Sequence, residues 1–428
     1  MDKFVIEGGR KLSGSVRIQT SKNAVLPILA ASLLLEKGET CINNVPQLAD
    51  VDTMLKVLER LGAKVRVYPD DKSNVSLSNR KVVINAERLQ SHEAPYDLVR
   101  KMRASFLVMG PLLARFKKAK VSLPGGCVLG PRPVNLHLTG LAKLGAKIKE
   151  EHGYVVASAE RLCGNTIFFD RPSHTGTENI LMTACLSQGE TTIVNAACDP
   201  EVVDLARFLI SMGAKIKGAG SSTIYVEGTK RLKVVEFTPI PDRLDAATFM
   251  IATCITGGLV EIKNVVPEHL IMVSIKLREM GAEVKEHKNS ITVKSPKKLR
   301  PVSVTTYPHP GFPTDVQASM MALTTIADGT SQIRETVFED RFTHVMELCR
   351  LGADVKVSGD RATINGVPRL KGASVMASDI RAGAGLTIAG LAAEGTTEVL
   401  RVYHIDRGYD HIEKRLAQLG AKIKRVKT

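Results

Sequence analysis

Apolar residues fall at helical spacing from Val51 to Leu61 (VDTMLKVLERL), and the run stops at Gly62. That pattern predicts an amphipathic helix closed by a glycine just past its end, with a strand after it. The closing phrase Leu61-Gly62-Ala63-Lys64-Val65 recurs as Leu144-Gly145-Ala146-Lys147-Ile148, Met212-Gly213-Ala214-Lys215-Ile216, Met280-Gly281-Ala282-Glu283-Val284, Leu351-Gly352-Ala353-Asp354-Val355 and Leu419-Gly420-Ala421-Lys422-Ile423. The glycines are 83, 68, 68, 71 and 68 residues apart, so the chain reads as six copies of one unit. A second strand follows the first, as in Val75-Ser76-Leu77 and Val82-Val83-Ile84.

Each unit carries another helix of different character: 21–37, 99–115, 176–188, 242–256, 314–328 and 379–394. Their bodies are small and apolar nearly all round, as in AVLPILAASLLL and AGAGLTIAGLAA. A helix apolar on every side is buried on every side. Six such helices with six amphipathic ones imply an α/β architecture in which sheets and outer helices wrap inner helices, in two similar domains of three units. Lys22, Arg103, Arg243 and Arg381 lie in or near the first turns of inner helices, where a cation opposes the helix dipole. Four such cations predict that something anionic sits between them and the helix ends.

Composition narrows the partners. With 428 residues and 44% hydrophobic content the chain is long enough for two domains. The longest apolar run, from Ala24 to Leu35, is interrupted by Pro27 and too short to span a bilayer. Met1-Asp2-Lys3 leads straight into strand-like sequence without a signal peptide, so a cytoplasmic protein is expected. The net charge is +15, but its cations are dispersed, Trp is absent and aromatics make up 4%. Anionic metabolites therefore fit better than nucleic acid or a membrane surface. The seven cysteines are odd in number and form no CxxC pair, which argues against disulfides and zinc; most are read as inert core thiols.

Cys127 is the exception. It lies in Pro124-Gly125-Gly126-Cys127-Val128-Leu129-Gly130-Pro131-Arg132-Pro133, where the second unit replaces a short link with a shaped loop. Arg132 nearby gives this thiol a reason to be acidic and reactive; the alternative is an idle exposed thiol. Asp315, after Pro308-His309-Pro310-Gly311-Phe312-Pro313-Thr314, is either an ordinary acid in a first helical turn or a carboxylate able to take a proton from a hydroxyl. In Tyr403-His404-Ile405-Asp406-Arg407-Gly408-Tyr409, Arg407 is placed to reach a phosphate or carboxylate, while His404 and Asp406 brace the turn.

Taken together, Ser21-Lys22-Asn23-Ala24, Met102-Arg103-Ala104-Ser105, Pro124 to Arg132, Pro241-Asp242-Arg243, Phe312-Pro313-Thr314-Asp315, Glu335-Thr336-Val337-Phe338 and His404 to Tyr409 resemble the UDP-N-acetylglucosamine 1-carboxyvinyltransferase family of enolpyruvyl transferases, along the whole chain. The resemblance implies two inside-out α/β barrel domains, each of three βαβαββ repeats with buried inner helices. One would span 22–240, the other 1–21 plus 241–428, with the active site in the cleft between. It implies addition of the 3′-hydroxyl of UDP-N-acetylglucosamine to C2 of phosphoenolpyruvate, then loss of phosphate, in peptidoglycan synthesis. By the same resemblance Cys127 is the acid, forms a covalent adduct with phosphoenolpyruvate and is alkylated by the epoxide fosfomycin; Asp315 accepts the proton, and Lys22 is catalytic. Lys22, Asn23, Arg132 and Arg407 hold phosphoenolpyruvate. Asn23, Arg103, Arg132, Pro133, Val134, Asn135, Leu136, Pro172, Ser173, His174, Thr175, Gly176, Asp315 and Val337 bind the UDP-sugar. Arg341, Asp379 and Arg381 are supporting charges. The resemblance implies no metal and no cofactor, and no obligate protein partner is evident. Two departures stand out: Asn135 replaces the family's usual aspartate, and Ser173-His174-Thr175-Gly176 replaces a more apolar turn. The related 3-phosphoshikimate 1-carboxyvinyltransferases are disfavoured, because their Asp-Lys-Ser-Ile and Asn-Ala-Gly-Thr segments are missing and they lack the cysteine loop. A non-catalytic nucleic-acid-binding repeat protein would need its cations along an open surface rather than at inner-helix starts.

Overall fold

The computed structural model describes residues 2–69, 77–100, 102–123 and 134–427. The described residues form a mixed α/β fold with six four-stranded sheets. The third unit shows the plan. Strand Thr166–Phe168 leads through the inner helix His174–Ala184 to Glu190–Val194, its parallel partner. Parallel neighbours need such a crossover, and the helix supplies it. The outer helix Pro200–Ser211 then leads to Lys215–Lys217 and Thr223–Glu227, which complete the sheet antiparallel.

Two sheets borrow a strand from the chain's beginning. Lys3–Glu7 lies between Thr396–Leu400 and Lys422–Val426, and Ser13–Arg17 runs parallel to Leu259–Lys263. A third sheet is completed by Val235–Phe237, parallel to Glu39–Val45. The apolar side chains form two cores. One is built from residues between Val25 and Val226, the other from Phe4 to Ile18 together with Leu244 to Ile423. Among the described residues no helix is long and apolar enough to cross a membrane.

The repeated glycine has one physical cause in all six places. Gly62, Gly145, Gly213, Gly281, Gly352 and Gly420 all have φ between 90° and 101°. At the first, Gly62 N–H donates to Glu59 O (2.9 Å) and Ala63 N–H to Leu58 O (3.0 Å), which satisfies carbonyls left over at the helix end. The equivalent bonds Ala214 to Leu209 (2.9 Å) and Ala421 to Leu416 (3.1 Å) show the same closure. A side chain in that backbone conformation is strained, so glycine recurs.

The inner helices are buried as their composition requires. Every residue of Arg243–Ile255 is buried, and in Lys22–Ala31 only Asn23 is not. Small residues let inner helices touch: a Cβ on Gly385 would lie 2.8 Å from Ala318 O of the neighbouring helix Gln317–Thr324. The helices are shorter than their apolar runs. Lys22–Ala31 tightens into the 3₁₀ turn Ser32–Leu34, while Arg103–Val108 and Thr314–Val316 are 3₁₀ turns that precede their α-helices. The cysteine reading needs correction. Among the described cysteines only Cys185 and Cys254 are buried, their thiols pushed up to about 12 by desolvation; Cys41, Cys198 and Cys349 are half-buried, and Cys163 is exposed.

Candidate active site

Two inner-helix starts meet where the cores face each other. Ser21 caps the helix Lys22–Ala31 by accepting from Ala24 N–H (3.4 Å). This sets Lys22, itself buried, so that its Nζ lies 3.2 Å from Asp50 Oδ2. The other oxygen of Asp50 receives Arg407 Nε at 2.8 Å. Arg407 belongs to the turn Val402–Arg407, so cations from opposite cores converge on one carboxylate whose side chain is 6% exposed. Asp50 was not singled out in the sequence: it reads as an ordinary acid in the first turn of the outer helix Ala49–Arg60. Asn23 follows Lys22 and is half-buried.

Asp315 sits in the turn Thr314–Val316. Its Oδ1 accepts from Arg341 Nη2 at 2.6 Å, and its Oδ2 lies 3.5 Å from Arg381 Nη2. Arg381 also donates to Tyr409 Oη (3.1 Å), and its helix Ile380–Ala392 is capped by Asp379, which accepts from Arg381 N–H at 2.8 Å. The buried Glu335 ties this corner together. It accepts from Thr306 (2.8 Å), Thr314 (2.9 Å), Val337 N–H (2.9 Å) and Phe338 N–H (3.2 Å), so Val337 is fixed relative to the Asp315 turn. Asp242 joins the two clusters. It caps Arg243–Ile255 and accepts from Lys22 N–H at 3.4 Å; burial raises its carboxyl pKa, which Arg381 opposes.

A third group lines a small cleft: Arg103, Ala104, Phe106, Leu107, Val134, His137 and Thr175. Asn179 Oδ1 must face Gly110 N–H (2.7 Å), so its amide nitrogen faces His137 Nδ1 (3.0 Å). His137 therefore carries its proton on Nε2 and donates to Thr175 Oγ1 (3.1 Å). Burial and the nearby Arg103 charge push its pKa down to about 3, so a neutral ring packs edge-on to Phe106 at 5.3 Å. His137 was not singled out in the sequence. Asn135, exposed, and Leu136, half-buried, start the helix Asn135–Lys143 beside it. Pro172 leads into Ser173, which caps the helix His174–Ala184 by accepting from Gly176 N–H (3.2 Å).

The four first-turn cations need one correction. The anion at three of them is the protein's own: Asp50 at Lys22, Asp315 at Arg381, and both Asp199 (2.9 Å) and Glu201 (3.0 Å) at Arg243. A desolvated cation needs a partner in the folded chain, and carboxylates at the starts of neighbouring helices provide it. Cys127, Arg132 and Pro133 lie outside the described residues.

The chain has known relatives. The family profile of EPSP synthase (3-phosphoshikimate 1-carboxyvinyltransferase) matches residues 6–416. A protein of Geotalea daltonii named UDP-N-acetylglucosamine 1-carboxyvinyltransferase is 52% identical over 426 residues, covering 100% of both chains. One of Carboxydothermus hydrogenoformans, named UDP-N-acetylglucosamine 1-carboxyvinyltransferase 2, is 53% identical over 428 residues, again covering 100% of both. Among solved structures, the enolpyruvyl transferase NikO from Streptomyces tendae superposes with a TM-score of 0.88 at 26% identity, covering 100% of this chain and 99% of that one. EPSP synthase from Acinetobacter baumannii shares the fold, with a TM-score of 0.75 at 18% identity and 100% of both chains covered. The chain belongs to the EPSP synthase family of enolpyruvyl transferases, and its relatives at 52–53% identity carry the name UDP-N-acetylglucosamine 1-carboxyvinyltransferase.

Proposed function

We propose that this enzyme transfers the enolpyruvyl group of phosphoenolpyruvate to the 3′-hydroxyl of UDP-N-acetylglucosamine, releasing phosphate, as a cytoplasmic step of peptidoglycan synthesis. The observation that carries the reading is the convergence of Lys22 and Arg407, from opposite cores, on Asp50. Two cations held this way suit a small dianion that enters between them and takes over the contacts of Asp50.

In the first step the Cys127 thiol gives its proton to C3 of phosphoenolpyruvate, and the sugar oxygen bonds to C2. The hydroxyl proton passes to Asp315, which Arg341 and Arg381 hold in place. In the second step C3 returns a proton to the Cys127 thiolate, the C–H electron pair re-forms the double bond to C2, and the bond from C2 to the phosphate oxygen breaks, so that phosphate leaves with that bond's electron pair. Lys22, Asn23, Arg132 and Arg407 hold the phosphate and carboxylate. The UDP-sugar lies along Arg103, Arg132 to Leu136, Pro172 to Gly176 and Val337. No metal, cofactor or obligate protein partner enters the scheme. The fold is read as two inside-out barrels of three βαβαββ units, 22–240 and 1–21 plus 241–428, which close on the sugar nucleotide with the Cys127 loop as lid. The two separate cores support that division.

The product tests the regiochemistry. NMR of the isolated product is expected to show vinyl protons correlated to the 3′ carbon of the glucosamine ring. Attachment through another hydroxyl, or recovery of both substrates unchanged, overturns the proposal.

A further inference from the structure

His174 stands in the turn assigned above to the nucleotide, yet its ring points to carboxylates. Its Nε2 lies 3.1 Å from Glu178 Oε1, one turn on along its own helix, and its Nδ1 lies 3.6 Å from Asp199 Oδ1. Glu178 is 1% exposed, Asp199 15% and His174 28%. Asp199 is shared: Arg243, on the inner helix of the opposite core, reaches the same Oδ1 at 2.9 Å and also pairs with Glu201. The donor atoms of His174, Asp199 and Glu201 lie within 4.8 Å of one another, a spacing that could hold a cation, but the Arg243 guanidinium already pairs with both acids. Three carboxylates outnumber the one arginine, and the imidazole is the group beside them that can add a second positive charge.

The geometry makes the ring's charge matter. A neutral imidazole has one N–H to offer two carboxylates, so its other nitrogen would turn a lone pair on an anion. Burial raises the Glu178 carboxyl pKa, and the charged ring opposes that rise; with both acids ionised, only the imidazolium can face both. We propose that His174 is a positioning residue that, as an imidazolium, clamps the turn Pro172 to Gly176 to Glu178 and Asp199, and so links the nucleotide subsite to Arg243 of the opposite core. The inference rests on the nucleotide reading of that turn. Charged groups face the ring from every side: Glu178 on its own helix, Asp199 and Glu201 at the outer helix Pro200–Ser211, and Arg243 across the interface. His309 and His269 stand around Arg243 and Glu201. Glu178 and Asp199 raise the pKa of His174 well above its ordinary 6.5 despite burial, whereas burial lowers those of His269 and His309. In the window above 6.5 the imidazole at 174 is therefore the histidine of this cluster that loses its proton. A raised folded-state pKa means the clamp is complete at lower pH and is lost as pH rises through it.

The test is a pH profile of KM for UDP-N-acetylglucosamine at saturating phosphoenolpyruvate, run beside an NMR titration of His174. KM is expected to rise by up to about tenfold per pH unit above the measured His174 pKa, with kcat changing far less. His174→Gln, which keeps a donor but cannot titrate, should show a flat and elevated KM over the same window. His174→Lys, which keeps the charge, should hold KM low at pH values where the wild type has weakened. A wild-type KM that stays flat while His174 titrates, or a His174→Gln profile parallel to the wild type, overturns the proposal. Absence of turnover in all forms would instead count against the transferase assignment.

Discussion

Replacing Asp315 by asparagine is expected to lower kcat by about 10²–10⁴-fold while leaving the fold intact, the range ascribed to a positioned general base. The amide has the same shape, and Thr314, Glu335 and Val337 keep their mutual hydrogen bonds. Arg381 keeps Tyr409, so one of the two guanidiniums that Asp315 serves retains a partner. The residual structural cost is read separately by thermal unfolding, and the chemical cost by steady-state kinetics with both substrates saturating. A kcat within tenfold of wild type would show that Asp315 is only a helix-turn acid, the plainer reading its sequence position also allows.

The second large effect is on stability. Arg415 and Asp245 are both fully buried, joined by bonds of 2.6 and 3.0 Å. Arg415 also donates to Asp410 O (3.0 Å), lies 3.4 Å from Gln19 Oε1 and stacks over Phe249 at 4.8 Å. Arg415→Met fills similar volume but leaves Asp245 charged without its guanidinium. That type of change costs about 3–5 kcal/mol. Denaturant unfolding should show this loss for the single variant, whereas removing Asp245 as well, as Asp245→Leu with Arg415→Met, should recover much of it. If the double variant is as unstable as the sum of the two singles, the pair does not act as a unit.

These two sites differ in how visible they were. The six-fold repeat was legible because one backbone need, a glycine in the left-handed region followed by alanine, recurs at each outer-helix end. The buried inner helices were legible because their composition leaves no polar face. Lys22, Arg381 and Asp315 stood out by position. What could not be read was pairing over distance. Asp50 and Arg407 are 357 residues apart, and nothing local marks Asp50 as their meeting point. Gln19, Asp245 and Arg415 likewise come from three distant segments. His174 stands out as a departure from a more apolar turn, and Glu178 lies within reach at i+4, but Asp199 joins it only where the start of the helix Pro200–Ser211 packs against the turn. The borrowed strands Lys3–Glu7 and Val235–Phe237 have no pattern that names their sheets; placing the first strand with the C-terminal half came from the resemblance, not from periodicity.

The central claim is that the charges gathered between the two cores serve enolpyruvyl transfer to a UDP-sugar. Release of inorganic phosphate from phosphoenolpyruvate by fresh, reduced enzyme tests it most directly. Phosphate should appear only when UDP-N-acetylglucosamine is present, and shikimate 3-phosphate should not replace it. No phosphate with both substrates present, or equal release with shikimate 3-phosphate, would contradict the account.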